Sequence, residues 1–432
     1  VSVSAKAFQI GVIGFGTIGT GVVKILQKDR GILRQRTGRD IVLKTVADIA
    51  PGKKEGVDYS TFALTKDAME IINDSSIDLV VELIGGITHA KRFIEAALKN
   101  KKHVVSANKE LIAKHGKELI GLANEMGVNL FYEASSGGGI PIINALTSSL
   151  AGNPYKKIYG ILNGTTNYIL SKMTAEGAEF DDVLKEAQAL GYAEADPSSD
   201  VDGHDVAYKL TILSSIAFDH YFETADIFRE GIRNISFRDI AVAKQYGYVI
   251  KLLAIGIARS ETDVELRVHP VMIRQSHPIA SVNGSFNAVY VEGENVGETM
   301  FYGRGAGELP TASAVVGDII AIVRGANDGK SSPTLNFGKS DKRIVPMGDI
   351  ESKYYVRLIV QDHPGVLAAI SRAFGDNDVS ITTVQQADPT GDDAEIVIMT
   401  HLVRESQMQK ALAEIGGLKV VSKVCSVIRT GL

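Results

Sequence analysis

An α/β chain in three parts is predicted: a doubly wound parallel sheet first, an α+β middle part next, and a small sandwich of sheet and helices last. Three observations predict it. An apolar run, Phe8 to Ile13, passes at once into Gly14-Phe15-Gly16-Thr17-Ile18-Gly19 and then into a helix-like segment from Val22 to Leu26. Apolar runs and helical segments then alternate as far as about residue 150, the rhythm of parallel β-α-β units. From Tyr354 onward the order becomes strand, helix, strand, strand, helix, strand. A length of 432 residues accommodates two or three domains with sizeable cores.

Composition excludes several classes of function. The net charge of -5 argues against nonspecific binding to nucleic-acid phosphates, and no run of about 18 apolar residues suggests a membrane span. Val1 to Phe8 is a short polar lead without a charged-then-apolar signal pattern, so a cytoplasmic chain is expected. The lone cysteine, Cys425, has no disulfide partner and reads as a structural thiol. Its position also means that the first 424 residues hold no nucleophile for a thioester mechanism.

In the first part, strand, glycine turn and helix follow in the order that suits a dinucleotide. Gly14 permits the tight turn, Gly16 lets backbone approach a pyrophosphate, and Gly19 allows close packing, while the helix start at Thr17 and Ile18 stabilises negative charge. The alternative is a glycine turn without a ligand. The next strand, Ile41 to Ala47, ends at Asp48, whose carboxylate suits the ribose of NAD, yet Lys53 and Lys54 follow and could neutralise the extra phosphate of NADP; the alternative is a solvated strand end followed by a loop charge run. Further strands are read at Ile77 to Ile84, at His103 to Ala107 and at Val128 to Tyr132, with a helix over Thr88 to Asn100. Lys109 opens the helix after His103 to Ala107, at the carboxyl end of the sheet; a cation there opposes the helix dipole, which favours a role over an ordinary solvated lysine. Glu133 precedes Ser135-Ser136-Gly137-Gly138-Gly139-Ile140, which reads either as an oxygen cage for a hard cation or as a flexible loop before a helix over Ile142 to Ala151.

The middle part opens near Tyr155 with a strand, Lys156 to Leu162, and a polar turn, Asn163-Gly164-Thr165-Thr166-Asn167. Glu194, Asp196, Asp200 and Asp202 then gather in a loop that Pro197 keeps from being helical. A mostly apolar helix follows in which Asp205 and Lys209, four residues apart, share a face. Lys209 is there either as a surface snorkeller or as a buried ammonium held charged by carboxylates. Strands at Leu252 to Ala258, Val264 to Val271 and Asn287 to Glu292 come next, then a second glycine turn from Gly303 to Gly307 and an apolar helix over Ala314 to Arg324, which suggests a return to the cofactor; the alternative is a tight entry turn with Pro310 in the first helical turn.

Ser331 to Glu351 is polar and reads as a linker. The tail's βαββαβ order predicts a ferredoxin-like sandwich, and Gly365, at its first strand-to-helix turn, offers backbone amides to an effector of amino-acid size. A purely structural or dimerising tail is the alternative. The expected domains are 1–140, Rossmann-type and completed by about 303–330; 141–302, for substrate and dimerisation; 331–352, a linker; and 353–432, regulatory.

On these residues the chain resembles homoserine dehydrogenases that carry a C-terminal ACT domain. The resemblance rests on Gly14 to Gly19, Ser106-Ala107-Asn108-Lys109, Tyr132 to Pro141, Asn163 to Asn167, Gly191 to Lys209, Gly305 to Ala312 and, in the tail, Asp362-His363-Pro364-Gly365-Val366-Leu367. It implies reversible reduction of L-aspartate 4-semialdehyde to L-homoserine with NAD or NADP, on the shared route to threonine, methionine and isoleucine. It implies that Lys209 is the general acid or base beside Asp205, that Lys109 assists, and that Glu194, Asp200, Asp205 and Gly164 hold the substrate. Ser106, Lys109 and Gly303 would join Gly14, Gly16, Thr17, Ile18, Gly19 and Asp48 around the cofactor. A monovalent cation, sodium or potassium, would lie on Glu133, Ser136, Gly138 and Ile140. Asp362, His363, Gly365, Val366 and Leu367 would form the effector turn, with threonine as the expected effector, and a homodimer or tetramer is expected. Asp48 stands where relatives selective for NADP often carry basic residues, so cofactor choice stays open. The substrate's α-ammonium accounts for the acidic loop. Two other readings are another amino-acid oxidoreductase and a non-catalytic sensor of amino acids and dinucleotides, which would bind without turnover.

Overall fold

The computed structural model describes residues 6–327, 338–387 and 393–431. Residues 1–5 of the N-terminal lead and 331–337 of the expected linker lie outside the described residues. The chain divides into two compact units. The first contains residues 1–158, 208–226 and 286–341, and the second residues 159–207, 227–285 and 342–432.

Short apolar runs bounded by turn residues become the strands of the first unit. They are β1 (Phe8–Ile13), β2 (Ile41–Ala47), β3 (Ala63–Thr65), β4 (Leu79–Glu82), β5 (His103–Ser106) and β6 (Leu130–Phe131). All pair in parallel, in the order β3-β2-β1-β4-β5-β6. The order reverses at β1 and β4, which opens a crevice at their carboxyl ends, where doubly wound sheets hold ligands. Ile10, Val12, Val46, Leu79 and Val81 are fully buried in its core. Each such side chain contributes about 1.5–3 kcal/mol by leaving water.

The helix Glu308–Asn327 adds Val315, Ile319, Ile322 and Val323 to that core. By length and composition it reaches the threshold for crossing a membrane, which the sequence reading did not anticipate, but it packs as a core helix of the dinucleotide sheet. It also begins earlier than expected, with Pro310 accommodated in its first turn. Before it, Phe286–Gly293 and Gly297–Arg304 form an antiparallel hairpin. Its second strand was not foreseen. Gly303 therefore lies in a strand, and the turn proper is Gly305 to Gly307.

In the second unit, Tyr248–Ala258 pairs antiparallel with Asp263–Arg274 over their full lengths. The C-terminal strands Glu351–Gln361, Ile381–Gln386, Asp393–Thr400 and Val421–Thr430 lie in the spatial order fourth, first, third, second. With the helices Val366–Asp376 and Glu405–Gly417 this is the ferredoxin-like sandwich, and Tyr354, Phe374 and Ile398 are wholly buried in its core. The last strand also pairs in parallel with Asp263–Arg274, joining Val271 to Arg429 and Met272 to Thr430. The sandwich is thus an extension of the middle sheet. Within the expected linker, Arg343–Ile344 is itself a short strand on Asp263–Val264.

Candidate active site

The cofactor turn is built mainly from backbone. Gly14 has φ +103°, and a Cβ there would lie 2.7 Å from the Leu83 carbonyl; at Gly19 it would lie 2.1 Å from the Gly14 carbonyl oxygen. At Gly16, in contrast, a Cβ would meet no atom within 4 Å. The protein's own packing requires the first and third glycines, and the room left at Gly16 fits a pyrophosphate at the start of the helix Thr17–Lys28. A cleft of about 770 Å³ opens here, lined by Gly14, Gly16, Asp48, Lys66, Thr88 and Arg92 among others. Asp48 uses its two oxygens to accept the Phe15 and Ala50 amides at 2.6 and 2.8 Å, which ties the end of β2 to the glycine turn. Lys53 and Lys54 do not line the cleft, whereas Lys66 and Arg92 do. The sequence reading missed both. The end of β3 and one face of a helix were the signals available.

Ser106 closes β5 and donates to the buried Glu82 at 2.7 Å, and burial raises the pKa of that carboxyl. Asn108 caps the helix Lys109–Met126 by accepting from Leu111, and donates its own amide to Gly86 at 2.5 Å. Lys109 is therefore the first residue of a fixed helix beside the cleft's glycine pair. The next residue, Glu110, accepts from the Tyr208 hydroxyl at 3.2 Å. Tyr208 precedes Lys209, so the helix turns that carry the two lysines meet. Lys209 is 8% exposed and Asp205 2%, which removes the reading of an exposed surface pair. They stand one turn apart on the helix His204–Ala217.

Glu133 is buried, and its carboxylate accepts the amides of Ile143 and Asn144 at 2.8 and 2.6 Å. Burial still pushes its pKa up to about 7. The loop beyond it contains buried Ser136, Gly138 and Ile140; Gly138 has φ +56°, and a Cβ on it would strike the Gly305 carbonyl at 2.3 Å. Gly139 donates to Arg304 at 3.0 Å, so this loop is held against the end of the strand that carries Gly303. The helix expected over Ile142 to Ala151 is α-helical only at Ile142–Asn144 and continues as a π-helical turn over Ala145–Ser149. The buried carboxylate and backbone carbonyls are hard oxygen donors that fit a small cation. Among the described residues no group of three or more His, Cys, Asp or Glu side chains could hold a metal. One more carboxylate, unforeseen within an apolar helix, lies here: Asp318 accepts the Glu133 amide at 2.9 Å. Burial and the Glu133 charge raise its pKa strongly.

In the second unit, Asn163 caps the helix Gly164–Glu176 by accepting from Thr166 at 2.8 Å. Its amide nitrogen donates to Asp200 at 2.7 Å and to Asp205 at 2.9 Å. One polar turn thus brings together two of the expected substrate carboxylates, beside Gly164 at the helix start. Glu194 is exposed, and Gln188 holds its carbonyl at 2.9 Å. Contrary to expectation, the acidic segment is not wholly irregular. Pro197 precedes a helical turn, Ser198–Val201, rather than preventing one, because its fixed φ suits a helix start. Asn167, one turn into the helix Gly164–Glu176, accepts from the ammonium of buried Lys251 at 3.0 Å, as do Val282 at 2.6 Å and Asn283 at 3.1 Å. Lys251 sits mid-strand and was not foreseen.

In the turn expected to take an effector, Gly365 has φ +97° at the start of the helix Val366–Asp376. Asp362, His363 and Leu367 are exposed and Val366 is buried, while Gln386 donates to Asp362 at 3.2 Å.

A glycine turn fitted to a pyrophosphate and, in the same unit, the buried Lys209 are features of a class, the oxidoreductases that use a nicotinamide dinucleotide. Three family models match the chain: the homoserine dehydrogenase NAD-binding domain over residues 14–133, homoserine dehydrogenase over 141–320, and the ACT domain over 354–419. A homoserine dehydrogenase of Synechocystis is 46% identical over 429 residues, covering 98% of this chain and 99% of that one. The crystal structure of a homoserine dehydrogenase from Thiobacillus denitrificans superposes with a TM-score of 0.93 at 41% identity, covering 99% and 98%. A hyperthermophilic archaeal homoserine dehydrogenase mutant in complex with NADPH has a TM-score of 0.62 at 28% identity, covering 73% of this chain and 97% of its own. The chain belongs to the homoserine dehydrogenase family.

Proposed function

We propose that the chain catalyses the reversible reduction of L-aspartate 4-semialdehyde to L-homoserine, with Lys209 moving the proton at the substrate oxygen. The observation that carries the residue roles is the polar turn in which Asn163 holds Asp200 and Asp205, with Lys209 one helical turn beyond Asp205. Asp200 and Asp205 attract the substrate's α-ammonium, and Asn163 keeps their oxygens apart and aimed. Glu194, on its exposed turn, completes the acidic approach, and Gly164 leaves the helix start open. A bound nicotinamide supplies or accepts hydride. In the direction of reduction Lys209 donates a proton to the alkoxide that forms, and in oxidation it takes the hydroxyl proton. Lys109, fixed at its helix start, adds positive charge near that oxygen. Gly14, Gly16, Thr17, Ile18 and Gly19 cradle the pyrophosphate, Asp48 and Ser106 border the cofactor cleft, and Gly303 closes over the cofactor. Asp48 favours NAD, while Lys66 and Arg92 accommodate the added phosphate of NADP.

Glu133, with the carbonyls of Ser136, Gly138 and Ile140, holds sodium or potassium, and this charge fixes the loop packed against Arg304. The turn of Asp362, His363, Gly365, Val366 and Leu367 takes an amino-acid effector, threonine first among the candidates. The chain works in the cytoplasm as a homodimer at least. The test is the initial rate of homoserine oxidation at alkaline pH in sodium or potassium, followed by reduced-nicotinamide absorbance, with NAD and NADP in separate series. Turnover, inhibited by added threonine, is expected. A folded protein without turnover on either cofactor moves the reading to a sensor, and rates indifferent to threonine remove that effector.

A further inference from the structure

Between Glu230 and Asp239 the chain leaves the C-terminal sandwich, touches the carboxylate turn, and returns to the sandwich, all within the second unit. At its start, Glu230 accepts from Arg429 at 2.8 Å, and Arg429 is forked onto Glu405 at 2.8 and 2.7 Å. At its end, the fully buried Asp239 accepts from Arg357 and Ser426, each at 2.7 Å, and from Tyr355 at 3.1 Å. Arg357 also donates to Ser236 at 3.0 Å. Arg429, Arg357, Tyr355 and Ser426 all belong to strands of the sandwich.

The middle of the segment is fitted to the turn Ser198–Asp202. Ile232 donates to the Val201 carbonyl at 2.9 Å, and a Cβ on Gly231 would lie 2.3 Å from the same oxygen. Arg233 forks onto Asp202 at 2.6 and 3.0 Å and reaches Ser198 at 3.1 Å. A forked pair fixes orientation as well as distance, whereas a partly exposed one contributes little to stability. The turn that Arg233 grips is the one that presents Asp200 to Asn163. Beside the segment, between Arg233 and Ser236 on one side and Arg357 and Cys425 on the other, lies a cavity of about 710 Å³. The segment can therefore shift on that side without compressing a packed core.

We infer that Glu230–Asp239 is a strap through which the C-terminal sandwich sets the position of the carboxylate turn, with Arg233 as its positioning residue; for the role of Asp200 this rests on the function proposed above. The sandwich holds both ends through charge-assisted bonds, and the turn is held at the centre. A change in the pitch of the strands that carry Arg357 and Arg429 therefore moves Asp200.

The experiment uses the full chain as Arg233→Ala, Arg233→Lys, Glu230→Gln and the double variant Glu230→Gln with Arg233→Ala. Arg233→Ala is expected to raise the KM for homoserine roughly tenfold, leaving the cofactor KM within about twofold, and Arg233→Lys to recover part of the loss. Glu230→Gln, at the other attachment, is expected to act in the same direction by about threefold, and the double variant by less than the product. Arg233→Ala and Glu230→Gln are each expected to speed hydrogen exchange in peptides spanning residues 198–205, with Tm held. An unchanged homoserine KM and unchanged exchange would overturn the strap, as would strictly multiplying effects or a uniform loss of both KM values and Tm. If the wild-type chain fails to oxidise homoserine, the proposed function falls, and exchange in Glu230→Gln alone then decides the strap.

Discussion

The cofactor turn of the first unit and the carboxylate turn of the second are made of different material. Around Gly14, Gly16 and Gly19 the working groups are backbone amides, and what matters is where side chains are missing. Around Asn163, Asp200 and Asp205 the groups proposed to meet the substrate are side chains, tied together through Asn163 by hydrogen bonds. The two regions therefore have different points of weakness. The first is expected to tolerate changes of charge and to fail by steric intrusion, and the second to tolerate small changes of volume and to fail when a charge or a hydrogen bond is lost.

The largest effect expected from this contrast is at Lys209, whose helix also carries Asp205. Lys209→Ala is expected to keep cofactor binding, read by quenching or enhancement of reduced-nicotinamide fluorescence, and to lose turnover by at least about 100-fold, the usual share of a general acid or base. Near-normal turnover would give the proton to another group. A middle-sized effect separates two glycines of one turn. Gly16→Val points into open space, so Tm is expected to hold while the cofactor KM rises by about tenfold or more. Gly19→Ala places a Cβ 2.1 Å from a carbonyl oxygen, so Tm is expected to fall, in line with an overpacking cost of about 1–3 kcal/mol. Equal responses at the two positions would erase the distinction between a ligand's room and the protein's own packing.

A third effect, read as a slope with pH rather than as a loss, lies beside the side-chain region, at Lys251. Burial lowers its pKa from the ordinary 10.5 to about 8. Below pH 8 folded and unfolded chains both hold the proton, and the burial cost is carried in full. Between roughly 8 and 10.5 the folded chain releases it first, so stability measured against Lys251→Met is expected to rise with pH over that window and then level off. Thermal unfolding of both proteins across that range reads the difference. A flat difference would return Lys251 to an ordinary lysine.

How much was legible in the sequence follows the same division. β1 and β2 were legible to the residue, because an apolar run bounded by glycine or aspartate has few alternatives as a strand. The strand Gly297–Arg304 was not: its side chains alternate between half-buried and exposed, and its glycines imitate a turn. The segment Gly191 to Lys209 stood out because acids crowd before an apolar helix, but spacing alone could not say whether Lys209 was buried. Asp318 and Lys251 passed unnoticed as single polar residues in apolar elements. The partners that give them meaning, Glu133 for one and Val282 for the other, are distant in sequence and adjacent only in the fold. Arg233 shows the same blindness, since an arginine in a loop carries no signal until its partner Asp202 is in view.

Cys425 is partly accessible and lines the cavity beside the strap. It is also the chain's one cysteine. A thiol-directed fluorophore or spin label would consequently attach at a single place in the unmodified sequence, next to Arg357 and Ser426. Movements of the C-terminal sandwich could then be followed spectroscopically in real time, without first engineering away other thiols.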